Sequence, residues 1–276
     1  MISTTLVPVR TSHRIKRALR KALLYAAEPL DAAARRLNGK RGYPPVALRR
    51  QNGPLDAFER VAGEYVAYLV TLTDLGPDDR ILDVGCGSGA MALMLGERLS
   101  PSGRYVGFEV DQPTVDWCSR RFAQDERFHF FHFDYWNATY NAGGTRNMNW
   151  PVDDSSIDVI LLKSIFTHML PPDVDFYLSE ISRVLRLGGR ALVTAFLYER
   201  DDEVVTGRHS FPFSGEHFRY ANQASPESAI ALDAEAFQTS MSRHGLTGEI
   251  LPGLWREESE PRPYAYQDMV VLRISG

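Results

Sequence analysis

Apolar residues in this chain fall into two kinds of run. Short blocks rich in β-branched and aromatic residues alternate with longer stretches in which apolar positions recur at helical spacing. The short blocks are Ile81–Val84, Tyr105–Val110, Phe128–Phe133, Ile157–Leu162 and Ala191–Phe196. Blocks this apolar read as strands covered on both faces, and so as a parallel sheet between helix layers. The periodic stretches Leu55–Leu72, Ala90–Leu99, Asp173–Leu187 and Ala231–His244 supply crossover helices, with a further one carrying Val115, Trp117, Cys118 and Phe122. Asp111 suits the cap of that helix, with Pro113 in its first turn. Leu246–Leu251 and Met269–Ile274 read as a closing antiparallel hairpin, joined by a charged loop, Trp255–Pro263.

The ends of the chain read differently. Residues 11–37 carry an apolar stripe at Ile15, Leu19, Ala22, Leu23 and Ala26, flanked by Arg14, Lys16, Arg17, Arg20 and Lys21, and Pro29 breaks or restarts the helix. Such a segment covers a sheet edge, forms a dimer seam, or lays a basic face on an anionic membrane surface or polyanion. Asn38–Pro54 is rich in Gly, Pro and Arg and reads as a linker in which Arg49 and Arg50 are either solvated or aimed at a carboxylate. The expected organisation is therefore a helical extension with linker over 1–53 and a catalytic domain over 54–276, with a polar insert at 198–230.

The stretch that organises the rest is Arg80–Glu97. A short strand is followed by Gly85, Cys86, Gly87, Ser88 and Gly89, then by a helix. Glycines at this spacing let a backbone turn sharply and approach a ligand without a Cβ in the way. Strand, glycine turn and helix form the plan of a nucleotide-type cofactor site at the carboxyl end of a strand. The spacing is G-x-G-x-G rather than the dinucleotide G-x-G-x-x-G, and Asp83 precedes it by two residues. A carboxylate there repels a pyrophosphate and suits a cationic ligand.

This stretch resembles motif I of the class I S-adenosylmethionine (SAM)-dependent methyltransferases. The resemblance extends over roughly residues 55–276 and implies a Rossmann-like α/β fold, with a seven-stranded, mostly parallel sheet and a terminal antiparallel hairpin. It implies SAM as cofactor, held by Asp83, Gly85, Cys86, Gly87 and Gly89. Glu109, in Gly107-Phe108-Glu109 at the end of the second strand and followed by Val110, would take the ribose hydroxyls. Asp134 would meet the adenine amino group, with Tyr135 beside the ring. The fourth strand ends in Lys163 and Ser164, where the family faces the methionine part of SAM and the acceptor. Leu187-Gly188-Gly189 is similar to the family's L-x-P-G-G turn, with leucine in place of the usual proline.

The acceptor is less legible. Tyr135–Asp154 is a long loop in which Trp136, Tyr140 and Trp150 offer flat faces and Asn137, Asn141, Arg146 and Asn149 offer hydrogen bonds. That mixture suits a polyhydroxylated ligand such as a saccharide, or an ordered surface loop. Phe166 and Tyr198 are counted with Trp136, Tyr140 and Asn141 as candidate acceptor contacts. His168 has the basicity to take a proton near pH 7, or else fixes its loop; His209 and His217 are rival bases. The expected reaction is methylation of a hydroxyl of a small molecule. Its alternatives are N- or C-methylation of a metabolite, or a SAM-binding scaffold without catalysis.

Composition narrows this further. The chain has 276 residues, a net charge of −4 and 24% charged residues, so no global basic field points to nucleic acid. No N-P-P-Y-like box for a flipped base follows the fourth strand. Two cysteines, Cys86 and Cys118, read as small buried thiols of a reducing, cytoplasmic compartment. Residues 1–10 lack the apolar core of a signal peptide. His129 and His132 alternate with phenylalanines and lack the partners of a metal site. Asp201, Asp202 and Glu203 lie near histidines but at no recognised ligand spacing, so no metal is expected.

Overall fold

A computed structural model describes residues 22–49, 54–137, 140–146, 148–199, 209–255 and 265–275. The basic residues Arg14–Lys21, Arg50, and the Asp201–Glu203 group with Arg208 lie outside the described residues. The chain divides into two compact units, 1–61 and 62–276.

In the first unit, helix α1 (Glu28–Leu37) has Pro29 in its opening turn, where the missing N–H has no helical partner to lose. Arg35 and Arg49 both pair with the Asp31 carboxylate. Burial raises the Asp31 carboxyl, and the Arg49 and Arg35 guanidiniums more than offset that, so it sits below its ordinary range. Arg49 is thus a 4% exposed internal ion-pair partner rather than a free ligand group. Helix α2 (Leu55–Thr73) runs through the division between the units.

The second unit is built on a seven-stranded sheet. Its strands are β1 (Arg80–Val84), β2 (Arg104–Glu109), β3 (Phe128–His132), β4 (Ile157–Leu162), β5 (Leu185–Ala195), β10 (Leu246–Leu251) and β11 (Asp268–Ile274), in the order β10-β11-β5-β4-β1-β2-β3. All neighbours are parallel except β11, which runs antiparallel to both β5 and β10. This is the expected Rossmann-like class I methyltransferase sheet. Strand β4 is buried at every position, including Asp158, whose carboxylate accepts from Arg80 N at 2.8 Å, whereas β3 at the edge exposes Phe131. His129 and His132 lie on that edge, and no group of three or more metal-binding side chains occurs among the described residues.

The helices between strands are α3 (Ala90–Leu95), α4 (Gln112–Arg121), α5 (Pro171–Val184) and α6 (Ala234–Arg243). Asp111 caps α4 by accepting from Thr114 N at 3.2 Å, with Pro113 in the first turn, as expected.

Three expectations are corrected. The Leu187-Gly188-Gly189 segment lies inside β5, which begins at Leu185, and Gly188 takes φ +83° there. The stretch from Ala231 is strand before it is helix: β9 (Ile230–Asp233) precedes α6, and Asp233 caps α6 through Ala236 N at 2.9 Å. The polar insert contains a second sheet, in the order β6-β9-β8-β7, with β6 (Leu197–Tyr198), β7 (Phe213–Gly215) and β8 (Phe218–Tyr220). The buried carboxylate of Asp268 joins it to the main sheet, accepting from Leu197 N (2.8 Å), Gly253 N (2.7 Å) and Trp255 Nε1 (2.8 Å).

Candidate functional site

The site gathers at the carboxyl ends of β1, β2 and β4, where strand ends leave backbone groups unpaired and side chains converge. Gly85, Gly87 and Gly89 all have positive φ, between +53° and +74°. A Cβ on Gly85 would lie 2.3 Å from Ile165 Cδ1, whereas one on Gly87 would meet nothing within 4 Å. Gly85 is therefore glycine because of packing, and Gly87 leaves open space above the backbone. The Gly85 and Cys86 amides both donate to Phe108 O at 2.9 Å, fastening the turn to β2. Burial raises both thiols, Cys118 to about 12, so neither serves as a nucleophile.

Register places the charged groups. Ile81 pairs with Tyr105 and Asp83 with Gly107, so Asp83, Tyr105 and Glu109 occupy one face of adjacent strands. The Tyr105 hydroxyl donates to Asp83 Oδ2 at 2.5 Å. Asp83 is 2% exposed. Burial pushes its carboxyl up to about 6, with Tyr105 and Lys163 holding it back and Glu109 adding to the rise. Glu109 accepts three backbone N–H groups: Gly87 (3.0 Å), Val110 (2.8 Å) and Asp111 (3.1 Å). These fix its rotamer, and burial still raises its carboxyl above the usual range. Two carboxylates around an open glycine turn fit a ligand that carries positive charge and hydroxyl donors, as a sulfonium nucleoside does.

Asp134 is exposed and oriented by Asn141 Nδ2 at 2.7 Å. Tyr135, expected beside an adenine ring, is instead a core residue. It is 3% exposed, stacks on Phe133 and Phe176, and donates to Asp173 Oδ1 at 3.0 Å. Ser164 has φ +58°, an uncommon conformation for a non-glycine residue. It is held there by its amide on Thr194 Oγ1 (2.7 Å) and its hydroxyl on Gln267 Oε1 (3.0 Å).

The acceptor side changes most. Trp150 is 2% exposed among Phe108 and Tyr177, and an Arg146 guanidinium covers Trp136 at 3.5 Å. Phe166 is fully buried against Phe237, and Tyr198 is 6% exposed beneath Arg219. Asn141 organises the loop through Asp134 and the Tyr135 carbonyl. Tyr140 alone among the candidate acceptor aromatics is substantially exposed, at 38%. The flat faces on which a saccharide would stack are therefore mostly occupied by the protein itself.

The histidines keep different company. His209 Nδ1 lies 2.6 Å from the Tyr266 hydroxyl, with Phe196 and Phe211 beside its ring. His217 sits with φ +62° in the exposed β7–β8 turn. His168 closes a 3₁₀ turn after β4, Phe166–His168. Its Nδ1 is 3.0 Å from the Glu227 carbonyl and its Nε2 is 3.3 Å from the Tyr140 hydroxyl. Asn137 Nδ2 donates to its carbonyl at 2.9 Å. Burial pulls the imidazole below its ordinary value, so it is neutral at pH 7.

Sequence reasoning passed over Tyr105, Thr194, Gln267 and Glu227. Strand alternation from Glu109 back to Tyr105 could have flagged the first. Nothing local marks the others, because they reach the site from other strands and loops.

A family model described as a methyltransferase domain matches residues 81–189. Demethylmenaquinone methyltransferase of Symbiobacterium thermophilum is 26% identical over 165 residues, 54% of this chain and 61% of that protein. Fatty-acid O-methyltransferase of Mycolicibacterium smegmatis is 29% identical over 115 residues, 42% of this chain and 36% of its own length. The chain thus spans less than two thirds of these curated relatives. Among solved structures, geranyl diphosphate C-methyltransferase of Streptomyces coelicolor, in complex with S-adenosyl-L-homocysteine, superposes with a TM-score of 0.51. It is 15% identical, with 77% of this chain and 76% of that one covered, a likeness of fold.

Proposed function

Because this chain belongs to the class I SAM-dependent methyltransferases, with SAM as cofactor, we propose that it transfers a methyl group to a small hydroxylated, conjugated acceptor whose hydroxyl proton is taken by His168. The observation that carries this reading is the pair of hydrogen bonds on the His168 ring. A carbonyl only accepts, so the Glu227 contact requires the proton on Nδ1. Nε2 is then the basic nitrogen, and the Tyr140 hydroxyl donates to it. The tautomer needed by a general base is thereby fixed before any acceptor arrives.

SAM supplies an electrophilic methyl that needs no further activation. The protein's task is to hold the nucleophile in line and remove a proton as attack proceeds. An enol, phenol or quinol that loses its hydroxyl proton becomes nucleophilic at oxygen and at the conjugated carbon. One base therefore serves either outcome, which accords with relatives named for an O-methyl transfer and for methylation of demethylmenaquinone. The occupied faces of Trp136 and Trp150 weigh against a saccharide acceptor.

The test is incubation with methyl-labelled SAM and a panel of phenols, naphthoquinols, long-chain carboxylic acids and monosaccharides, followed by NMR of the product. Label on a phenol or quinol, lost in His168→Ala, supports the reading. Label on a monosaccharide, or undiminished transfer by His168→Ala, overturns it. Binding of SAM without transfer to any acceptor favours the scaffold alternative.

A further inference from the structure

One helix of the first unit turns apolar side chains outward. Residues 22–26 are helical, and Ala27 N donates to Leu23 O and Asp31 N to Ala27 O, both at 3.0 Å, so the helix runs on into α1. Leu23, Ala26, Leu30, Ala33 and Leu37 recur three and four residues apart and form one stripe along it. All five are exposed, Leu30 by 79% and Leu37 by 88%. A single exposed leucine is ordinary, whereas a row of them on one face marks an interaction surface.

The same part of the chain concentrates its positive charge. The first 50 residues hold 12 of the 31 lysines and arginines but only 2 of the 35 aspartates and glutamates. That is a net +10 in a chain whose net charge is −4, so residues 51–276 carry −14. Both of those carboxylates face inward partners: Glu28 pairs with Arg35, and Asp31 with Arg35 and Arg49. Arg35 and Arg49 are buried, and the fully exposed charged residues among 22–49 are Arg36 and Arg41, both cations. A second copy of this segment would match the leucines but bring like charges together. A nucleic acid would match the charge and leave the leucines in water. An anionic bilayer takes both, with apolar side chains at the acyl boundary and cations at the headgroups.

We propose that residues 22–37 dock the protein on an anionic lipid bilayer, with Leu23, Leu30 and Leu37 entering the acyl boundary. At 16 residues the segment is about 24 Å long, shorter than the hydrocarbon core, and no described helix is long and apolar enough to cross a membrane. It therefore lies in the interface rather than spanning it. The surface governs where the protein works, and it stands apart from the choice of acceptor and from His168.

The test is co-flotation of the full chain with phosphatidylcholine vesicles made with and without phosphatidylglycerol, beside sedimentation velocity without lipid. Wild type is expected to float with the phosphatidylglycerol vesicles, to bind the neutral ones far less, and to be released as salt rises. Leu30→Ser combined with Leu37→Ser should weaken that binding about tenfold or more. Leu187→Ser, at an exposed leucine of β5, should leave it unchanged. Circular dichroism checks that these surface variants fold, and the comparison of the two vesicles on wild type stands without them. A wild type that floats with neither vesicle, or equally with both, would overturn the proposal. So would undiminished flotation of the folded double variant, which would leave charge acting alone. A wild-type dimer in the absence of lipid, broken by the double variant, would give the stripe to a second copy and overturn it as well.

Discussion

The Nδ1 of His168 lies 3.0 Å from the carbonyl oxygen of Glu227, 59 residues further along the chain. That contact decides which imidazole nitrogen is basic. The other nitrogen meets Tyr140 at 3.3 Å, on the exposed side of the loop after β3. Two distant segments thus set the chemistry of one ring.

Replacing this histidine should separate binding from turnover. His168→Ala is expected to keep cofactor affinity and lose about 10²–10⁴-fold in rate, the usual worth of a general base. Tyr140→Phe removes the hydrogen bond that the acceptor hydroxyl must displace from Nε2, about 1 kcal/mol, and should raise turnover by up to roughly fivefold rather than lower it. Steady-state kinetics beside calorimetry read both. A matched loss of cofactor binding in His168→Ala would show a role in folding the site.

Cofactor affinity should depend on pH through Asp83. Its carboxyl in the free protein titrates near 6, raised mainly by burial and bounded by Tyr105, Lys163, Glu109 and Cys86. A cationic ligand favours the ionised form and lowers that value in the complex. Affinity should therefore rise with pH up to about 6 and level off above it, with proton release on binding near pH 6. Calorimetry in buffers of different ionisation enthalpy measures the released proton. Asp83→Asn should abolish it.

Gly85→Ala should destabilise the glycine turn by about 1–3 kcal/mol, from a positive φ and a close contact together. The new Cβ would lie 2.3 Å from Ile165 Cδ1. Adding Ile165→Val removes that methyl and should restore part of the loss, leaving the backbone term. Thermal melts of the single and double variants separate the two.

Asp173 joins the loop to α5, accepting from Tyr135 Oη (3.0 Å) and from Arg146 Nη1 (3.0 and 3.2 Å). It is 5% exposed, whereas the Arg146 side chain is 45% exposed, which screens that part of the contact. Asp173→Ala should cost about 1–3 kcal/mol in stability, chiefly from the unpaired Tyr135 hydroxyl. It should also raise the acceptor KM more than it changes cofactor affinity, because Tyr140 lies on the same loop.

The chain's own order of residues determined the central sheet, the cap at Asp111 and the glycine turn, because these depend on local periodicity and on backbone conformations that few residues tolerate. It also gave the expectation of a site at the ends of four neighbouring strands, β1 to β4, of which β1 and β2 bring Asp83 and Glu109 onto one face. Tertiary structure decided what no local pattern encodes. It turned Tyr135 inward onto Phe133 and Phe176, covered Trp136 with Arg146, and made strand of Ile230–Asp233 by pairing it with Phe218–Tyr220. It also chose the His168 tautomer through a carbonyl from another loop. The physical reason is the same in each case: a side chain's exposure and protonation depend on neighbours far away in sequence, whereas turns and caps are satisfied within a few residues.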